Sequence, residues 1–546
     1  MVMTEDAAPD IVRDLSRPDA FLDALDPSQG KTVELRMTHA SWVFLTETDV
    51  FKVKRPVDLG FLDFRTMAAR RRACEEELRL NRRLAPGVYL GVEPVTKSAE
   101  GHRIGGSGPI VDWAVHMRRL PDQASADARL AAGALGPEHL EALAETLGAF
   151  FASAPPTPEL GTPAVLRQNV DENLAQTRPF TAAGDIVDAR TLDDIWRFQD
   201  QELSAHAERF AARVEAGWIR EGHGDLRLEH VYFVPDTSGV ERPIAIDCIE
   251  FNERFRCGDV AGEIAFLAME LEAAGHADLA AGFVARSAES LGDFDLYGVL
   301  DFYLCYRAWV RAKVAGFLAC EPGVAWDLRN RKRIEASRDF ALARACAGRP
   351  LTAPALVAVG GVIGSGKSTL AGELGRGLAA PVISSDRTRK ALAGLGPTTR
   401  GDSSLYTPER TAQAYTEVLR RAGVVLDSGR TVIVDATFTE PHWRELASEQ
   451  AAARSASFAF VEASCPDWHI LRERVRSRRL GLSESDADEA LLEQLVARGE
   501  PPCLVSQGQI VVDTRTSPRL AAARTLEELA RLGIAPPCPP RDITAA

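Results

Sequence analysis

The sequence predicts two folded regions of different class: an α+β region over residues 31–345, and an α/β region with a parallel sheet covered by helices over residues 355–540. Three observations predict this. Residues 33–115 read as strands interrupted by one helix, and long amphipathic helices dominate from there to about residue 345. Beyond Pro354, apolar strand-like runs alternate with helical segments, the pattern of a parallel sheet with crossover helices on both faces. Between the two lies Ala347-Gly-Arg-Pro-Leu-Thr-Ala-Pro354, punctuated by Gly and Pro and without periodicity, so residues 346–354 read as a linker.

Each element follows from its local pattern. Residues 1–30 read as a polar leading segment with a short helix. In a small lobe of about 31–120, runs 42–45 and 50–54 form a hairpin around residues 46–49. Residues 66–84 form a helix with Leu80 and Leu84 at helical spacing, and 110–117 a strand. A larger lobe of about 121–345 carries helices over 137–154 and 190–216, then a strand–loop–strand unit over 222–233 and 244–249. In the second region the strands are 355–359, 382–384, 431–434, 458–462 and 509–512.

Composition narrows the function classes. With 546 residues, 45% hydrophobic and 26% charged, the chain is an ordinary globular one of several domains. A formal net charge of −14 repels polyphosphate backbones, which makes nucleic acid a disfavoured partner. Nine cysteines, an odd number with no CxxC pair, fit a reducing cytoplasm and neither a disulfide framework nor a zinc site. No apolar run reaches the ~18 residues of a membrane helix, and the acidic first residues do not read as a secretion signal.

The second region holds the most specific signal, Gly361-Val-Ile-Gly364-Ser365-Gly366-Lys367-Ser368-Thr369. It fills every position of G-x4-G-K-S, follows an apolar strand and opens a helix, the context of a nucleotide-phosphate loop. Glycines let backbone N–H groups wrap the phosphates, and the helix start adds a favourable dipole. Lys367 is expected to reach the β/γ-phosphates of ATP, and Ser368 to hold Mg²⁺ through its hydroxyl. Asp435, closing an apolar strand, is the expected partner for that metal. Asp386, just after the second strand, can accept the proton of an attacking hydroxyl, and Arg389 three residues on can bind an anion. Arg474 and Arg478 share a helix face at i,i+4 and can neutralise charge developing on the transferred group. Together these residues resemble the P-loop kinase group that includes gluconate kinase, zeta toxins and the kinase module of polynucleotide kinase, over about residues 355–535. The resemblance implies transfer of the ATP γ-phosphate to a hydroxyl, with Asp386 and Arg389 similar to a substrate-activating pair.

The first region has a separate logic. His223-Gly224-Asp225 sits on a turn between strands, and Asp247 follows in the run Ile244-Ala-Ile-Asp247. One carboxylate to orient a hydroxyl and a second to hold Mg²⁺ is the arrangement of protein-kinase-like phosphotransferases. This arrangement resembles the aminoglycoside phosphotransferase family over about residues 30–340, which implies a protein-kinase-like bilobal fold. The resemblance implies Asp225 as catalytic base, Asp247 as magnesium ligand and Asp259 as a structural residue. It also implies that Lys52 or Lys54 grips the phosphates, with Glu77 as helix partner; the sequence does not choose between the lysines. Five residues after Asp225 the family has Asn, a metal ligand, whereas here stands His230. Imidazole is a poor magnesium donor, so the site either binds one metal rather than two, recruits another carboxylate such as Glu229 or Glu250, or is weak. Arg307 and Arg311 share a helical face, and if that face lines the acceptor cleft it favours an anionic acceptor.

The expectation is a fused, bifunctional ATP-dependent kinase acting on small-molecule hydroxyls of the sugar, sugar-acid or nucleoside class. Two other readings use the same residues. One is a 5′-hydroxyl nucleic-acid or nucleotide kinase in the second region; the other is an ATP-binding regulatory or toxin-like switch with a weak or inactive first region.

Overall fold

Alternating apolar residues in the first hundred positions make strands that bury one face. The computed structural model describes residues 9–21, 32–58, 60, 62–182, 186–348, 354–478, 486, 492–493, 497 and 510–536. The chain divides into two compact units, Met1–Glu270 with Tyr306–Ala343, and Leu271–Cys305 with Arg344–Ala546. The second unit thus takes in residues 271–305, upstream of the Gly/Pro-rich linker.

The first unit opens with β1 (Glu34–Met37), β2 (Ser41–Leu45), β3 (Asp49–Lys54), β4 (Tyr89–Ser98), β5 (Gly101–Ile104) and β6 (Ile110–Arg118), in an antiparallel sheet ordered β1-β2-β3-β6-β4-β5. The helix Met67–Asn81 lies between β3 and β4 in the chain, and the Thr66 side chain caps its first turn by accepting from the Ala69 N–H. The polar leading segment proves less polar in role: Val12, Leu15 and Phe21 are buried against Phe44, Phe51 and Val95 of the sheet.

Further on, β7 (Ile219–Glu221) pairs with β10 (Cys257–Asp259), and β8 (Val231–Pro235) with β9 (Glu241–Ala245), both antiparallel. Two expectations are corrected here. The strand expected over 244–249 ends at Ala245, because Asp247 takes a left-handed backbone (φ 63°) that no strand accommodates. The helix expected over 190–216 is two, Ala189–Ala205 and Ala207–Glu215, broken where His206 leaves helical geometry (φ −125°, ψ 28°).

In the second unit, β11 (Ala355–Gly360), β12 (Val382–Ser384), β13 (Val432–Asp435), β14 (Ser457–Ser464) and β15 (Ile510–Asp513) form a parallel sheet ordered β12-β13-β11-β14-β15. All six residues of β11 are buried, as a strand covered on both faces requires. Val357, Val359, Ile433 and Val461 of the sheet pack with Leu370, Leu374 and Leu529 of the covering helices. The chain first crosses to one side of β11 and later to the other, so the loop leaving β11 opens into the crevice at the sheet's carboxyl edge. Among the described residues no helix is long and apolar enough to cross a membrane.

Candidate active sites

In the second unit the loop leaves β11 with Gly361, Gly364 and Gly366 all at positive φ (154°, 79° and 90°). A Cβ on Gly361 would lie 2.5 Å from Ser365 Oγ and 2.7 Å from the Ala463 carbonyl oxygen, so no other residue fits that turn. The helix Lys367–Leu378 begins immediately after, with its first N–H groups facing the loop. Lys367 is 8% exposed, and among the described residues its ammonium has neither hydrogen bond nor carboxylate partner. A largely buried cation without a counter-charge is costly unless an anion completes it.

The neighbouring strand ends bring the acidic residues to this edge. Asp435 lies beside Val359 on one side and Ser384 on the other, and is 5% exposed. The Thr437 carbonyl accepts the Gly361 N–H at 3.1 Å, which ties the Asp435 turn to the start of the loop. Asp386 lies in the first turn of the helix Ser385–Leu392, half-buried, and makes no hydrogen bond or ion pair with a described residue. On the same helix Arg389 is 8% exposed. Its Nη1 donates to the Leu405 carbonyl and to Thr411 Oγ1, each at 3.0 Å, and its guanidinium stacks on Tyr406 at 4.8 Å. Its Nε is buried with no hydrogen-bond partner, so one edge of the fork is unfilled.

Arg474 does something the helix spacing did not reveal. Its Nη1 donates to the carbonyls of Gly364 (3.4 Å) and Ser365 (3.2 Å), and its Nη2 to the Thr514 carbonyl at 2.6 Å. It therefore braces the loop from behind. The Arg478 side chain lies outside the described residues. Thr514 was missed by sequence reasoning; its Oγ1 donates to the Ser365 carbonyl at 2.5 Å. A cavity of about 190 Å³ opens there, lined by Gly366, Thr369, Leu370, Arg474, Pro518 and Ala521 among others. Its walls mix apolar side chains with the hydroxyls of Ser477, Thr514 and Thr516. The hydroxyls of Ser368 and Thr369 lie on the exposed side of the same turn.

The first unit builds its site from distant segments. Lys52 Nζ lies 2.9 Å from Glu77 Oε1 and 2.6 Å from Asp247 Oδ1. Lys54 Nζ lies 2.5 Å from Glu77 Oε2 and also bonds Glu250. The two lysines thus separate: Lys52 faces Asp247, while the Lys54 side chain is 2% exposed and locked between carboxylates. Burial works against both ammonium groups, but the surrounding carboxylates outweigh it and hold both above the usual lysine range. Burial raises Glu77 and Asp247 in turn, and the facing cations override it to hold both below the usual carboxylate range. Glu250 goes the other way, because burial wins over Lys54.

His223 is a neutral brace. Its Nε2 donates to the Ile246 carbonyl at 2.9 Å, so Nδ1 is left to accept the Asp225 N–H at 3.3 Å. Burial, with the charge of His230 adding to it, lowers its basicity to about 4. Glu263, also missed, accepts the backbone N–H groups of His223 (3.3 Å) and Gly224 (2.9 Å). The signal was a lone Glu in the otherwise apolar run Val260-Ala-Gly-Glu263-Ile-Ala-Phe-Leu267. His230 Nδ1 donates to the Asp225 carbonyl at 2.8 Å, and its Nε2 lies 3.7 Å from Asp247 Oδ2.

Two expectations are corrected by partners, and a third is met. Arg307 donates to Glu263 (3.3 Å) and to the Gly262 carbonyl, and Arg311 pairs with Glu335 (3.1 Å), so neither is a free anion receptor. Glu250 and Glu229 are held by Lys54 and Arg227, so neither stands ready to replace the missing Asn. Asp259, expected to be structural, forms a two-pronged buried ion pair with Arg213 at 2.6 and 2.7 Å.

Known proteins bear on these two sites. Residues 356–502 match the family described as AAA domain (AAA_33). Over 482 residues the chain is 33% identical to the uncharacterized proteins Rv2004c of Mycobacterium tuberculosis and Mb2027c of Mycobacterium bovis, covering 86% of this chain and 91% of each relative. The chain belongs to their family. Among solved structures, a gluconokinase from Sinorhizobium meliloti aligns over 34% of this chain and 95% of its own, at 22% identity and TM-score 0.25. The APS kinase of Mycobacterium tuberculosis aligns over 33% and 99%, at 21% and 0.26. A mutant aminoglycoside 2′-phosphotransferase-IIIa aligns over 58% and 93%, at 15% and 0.35. The expected parallel sheet with covering helices is present in the second unit, and the first unit combines an antiparallel sheet with helices as expected.

Proposed function

We propose that the chain is a bifunctional ATP-dependent phosphotransferase with one ATP site in each unit, moving the γ-phosphoryl group to a hydroxyl of a small molecule of the sugar, sugar-acid or nucleoside class. The observation that carries this reading is the pair of uncommitted charges at the glycine loop, the cation Lys367 and the carboxylate Asp386. Lys367 and the loop N–H groups grip the phosphates. Asp386 takes the proton of the acceptor hydroxyl as its oxygen bonds to the γ-phosphorus and the bond to the β-phosphate oxygen breaks, releasing ADP. The unfilled edge of Arg389 orients an anionic acceptor or the transferring group.

In the first unit Asp225 is the corresponding base and Lys52 the phosphate grip, with Glu77 aiming Lys52. Lys54 is a structural cation.

Magnesium fits the oxygen donors of Ser368 and Asp435, where it would neutralise charge on the β/γ-phosphates. In the first unit Asp247 offers oxygen, whereas His230 offers a nitrogen that Mg²⁺ disfavours. Among the described residues no three His, Cys, Asp or Glu side chains converge to hold a metal unaided. The remaining ligands would then be phosphate oxygens and water.

The test is γ-labelled ATP with the full-length protein over sugars, sugar acids, nucleosides and 5′-hydroxyl oligonucleotides. Asp225→Asn and Asp386→Asn should each lower labelling of a different acceptor by about 10²–10⁴-fold. Tight ATP binding with no acceptor labelled by any form would overturn phosphotransfer in favour of an ATP-binding switch.

A further inference from the structure

The helix Leu300–Cys320 carries a cation that phosphotransfer does not use. Lys313 donates one hydrogen bond, at 2.6 Å, to the neutral side-chain oxygen of Asn173, and among the described residues it has no ion pair. Asn173 is 1% exposed, and its Nδ2 is buried without any hydrogen-bond partner. The carboxylate nearest in the sequence to Asn173, Glu172, is already held by both terminal nitrogens of Arg254, at 2.9 and 2.6 Å. Burial draws the Lys313 ammonium down to about 8, with Glu172 opposing and Arg254 reinforcing the change, so all three lie within electrostatic reach. Tyr306, two turns earlier on the helix, has Arg254 and Glu172 among its charged neighbours.

The cluster therefore holds two cations and one carboxylate that is already engaged. Lys313 donates to Asn173 Oδ1, and the Asn173 Nδ2 beside it is buried with no acceptor. Buried polar groups in folded proteins are nearly always satisfied, so an unsatisfied amide N–H beside a cation without an ion pair marks where a ligand supplies the acceptor.

The cluster also borders the loop that carries Asp225. The carbonyl of Phe255, next to Arg254, lies 2.9 Å from where a Cβ on Gly224 would sit. Arg307, next to Tyr306, donates to the Gly224 carbonyl at 3.4 Å.

We propose that Lys313 and Asn173, flanked by Arg254, form an oxyanion subsite for the acceptor of the first unit, selecting hydroxyl compounds that bear a carboxylate or a phosphate and rejecting cationic ones. The word acceptor rests on reading the first unit as a phosphotransferase; the anion site stands on its side chains alone.

The test uses full-length protein carrying Lys367→Ala, which weakens the phosphate loop, titrated by calorimetry with inorganic phosphate and separately with acetate. One anion site should weaken at least ten-fold on adding Lys313→Met. It should persist with Arg311→Met, a neighbouring cation that already has a carboxylate, and with Asp225→Asn. Persistence in Asp225→Asn separates this site from the kinase reading, and the stronger of the two ligands identifies the oxyanion. Equal anion binding with and without Lys313→Met, or none in either, would overturn the proposal.

Discussion

The two candidate active sites handle charge in opposite ways. In the second unit a glycine loop and a helix start supply the anion cradle, and Lys367 and Asp386 stand uncommitted. In the first unit two lysines and three carboxylates, Lys52, Lys54, Glu77, Asp247 and Glu250, neutralise one another before any ligand arrives. A backbone cradle needs no counter-charge, because peptide dipoles carry no net charge. A side-chain cradle needs one, because an isolated buried ammonium is not tolerated.

The sharpest way to break this comparison is to remove the shared carboxylate of the first network. Glu77→Gln leaves two buried lysines undercompensated and should cost the first unit about 3–5 kcal/mol. Calorimetry of the full chain would show its transition falling; an unmoved transition would mean the network is not what holds that lobe. Next in size, Lys367→Ala should lower turnover at the second site by about 10²–10³-fold, with little change in melting temperature. A large loss of stability instead would show that Lys367 is structural, like Lys54.

A pH test sharpens the comparison further. His223 is neutral in the folded protein, with its basicity lowered from 6.5 to about 4 by burial. A depressed folded value means that stability is complete above pH 6.5 and is lost as pH falls towards 4, up to about 3 kcal/mol. The first unit should soften over that window, and His223→Gln should flatten the profile. The smallest expected effect is Thr514→Val, which removes the hydrogen bond to the Ser365 carbonyl. It should cost about 1 kcal/mol, read as a roughly five-fold weaker ATP affinity in a titration.

How much was legible in the residues differs between the sites for a physical reason. The phosphate loop is contiguous, so Gly361 to Ser368 declare its geometry without reference to the rest of the chain. Lys52 and Lys54 could not be told apart, because β3 presents both on one face and only the position of Asp247 separates them. The helix carrying Arg307 and Arg311 stands out in the sequence for its cations, yet both have carboxylate partners and the cation without one is Lys313. Pairing across a fold is set by residues far apart in the chain, such as Glu263 with Arg307, and periodicity does not report it. Thr514 was invisible for the same reason: its role depends on β15 ending beside the loop that leaves β11.

The sequence alone determined that the second unit carries a phosphate loop on a parallel sheet and that the first carries the paired carboxylates Asp225 and Asp247. Strand and helix periodicity, glycine placement and motif spacing are local properties, and local physics suffices to read them. Only the tertiary structure decided which charged groups are neutralised and which are left waiting. Burial and partner geometry, which no stretch of chain contains by itself, determine whether a lysine is a brace or a receptor.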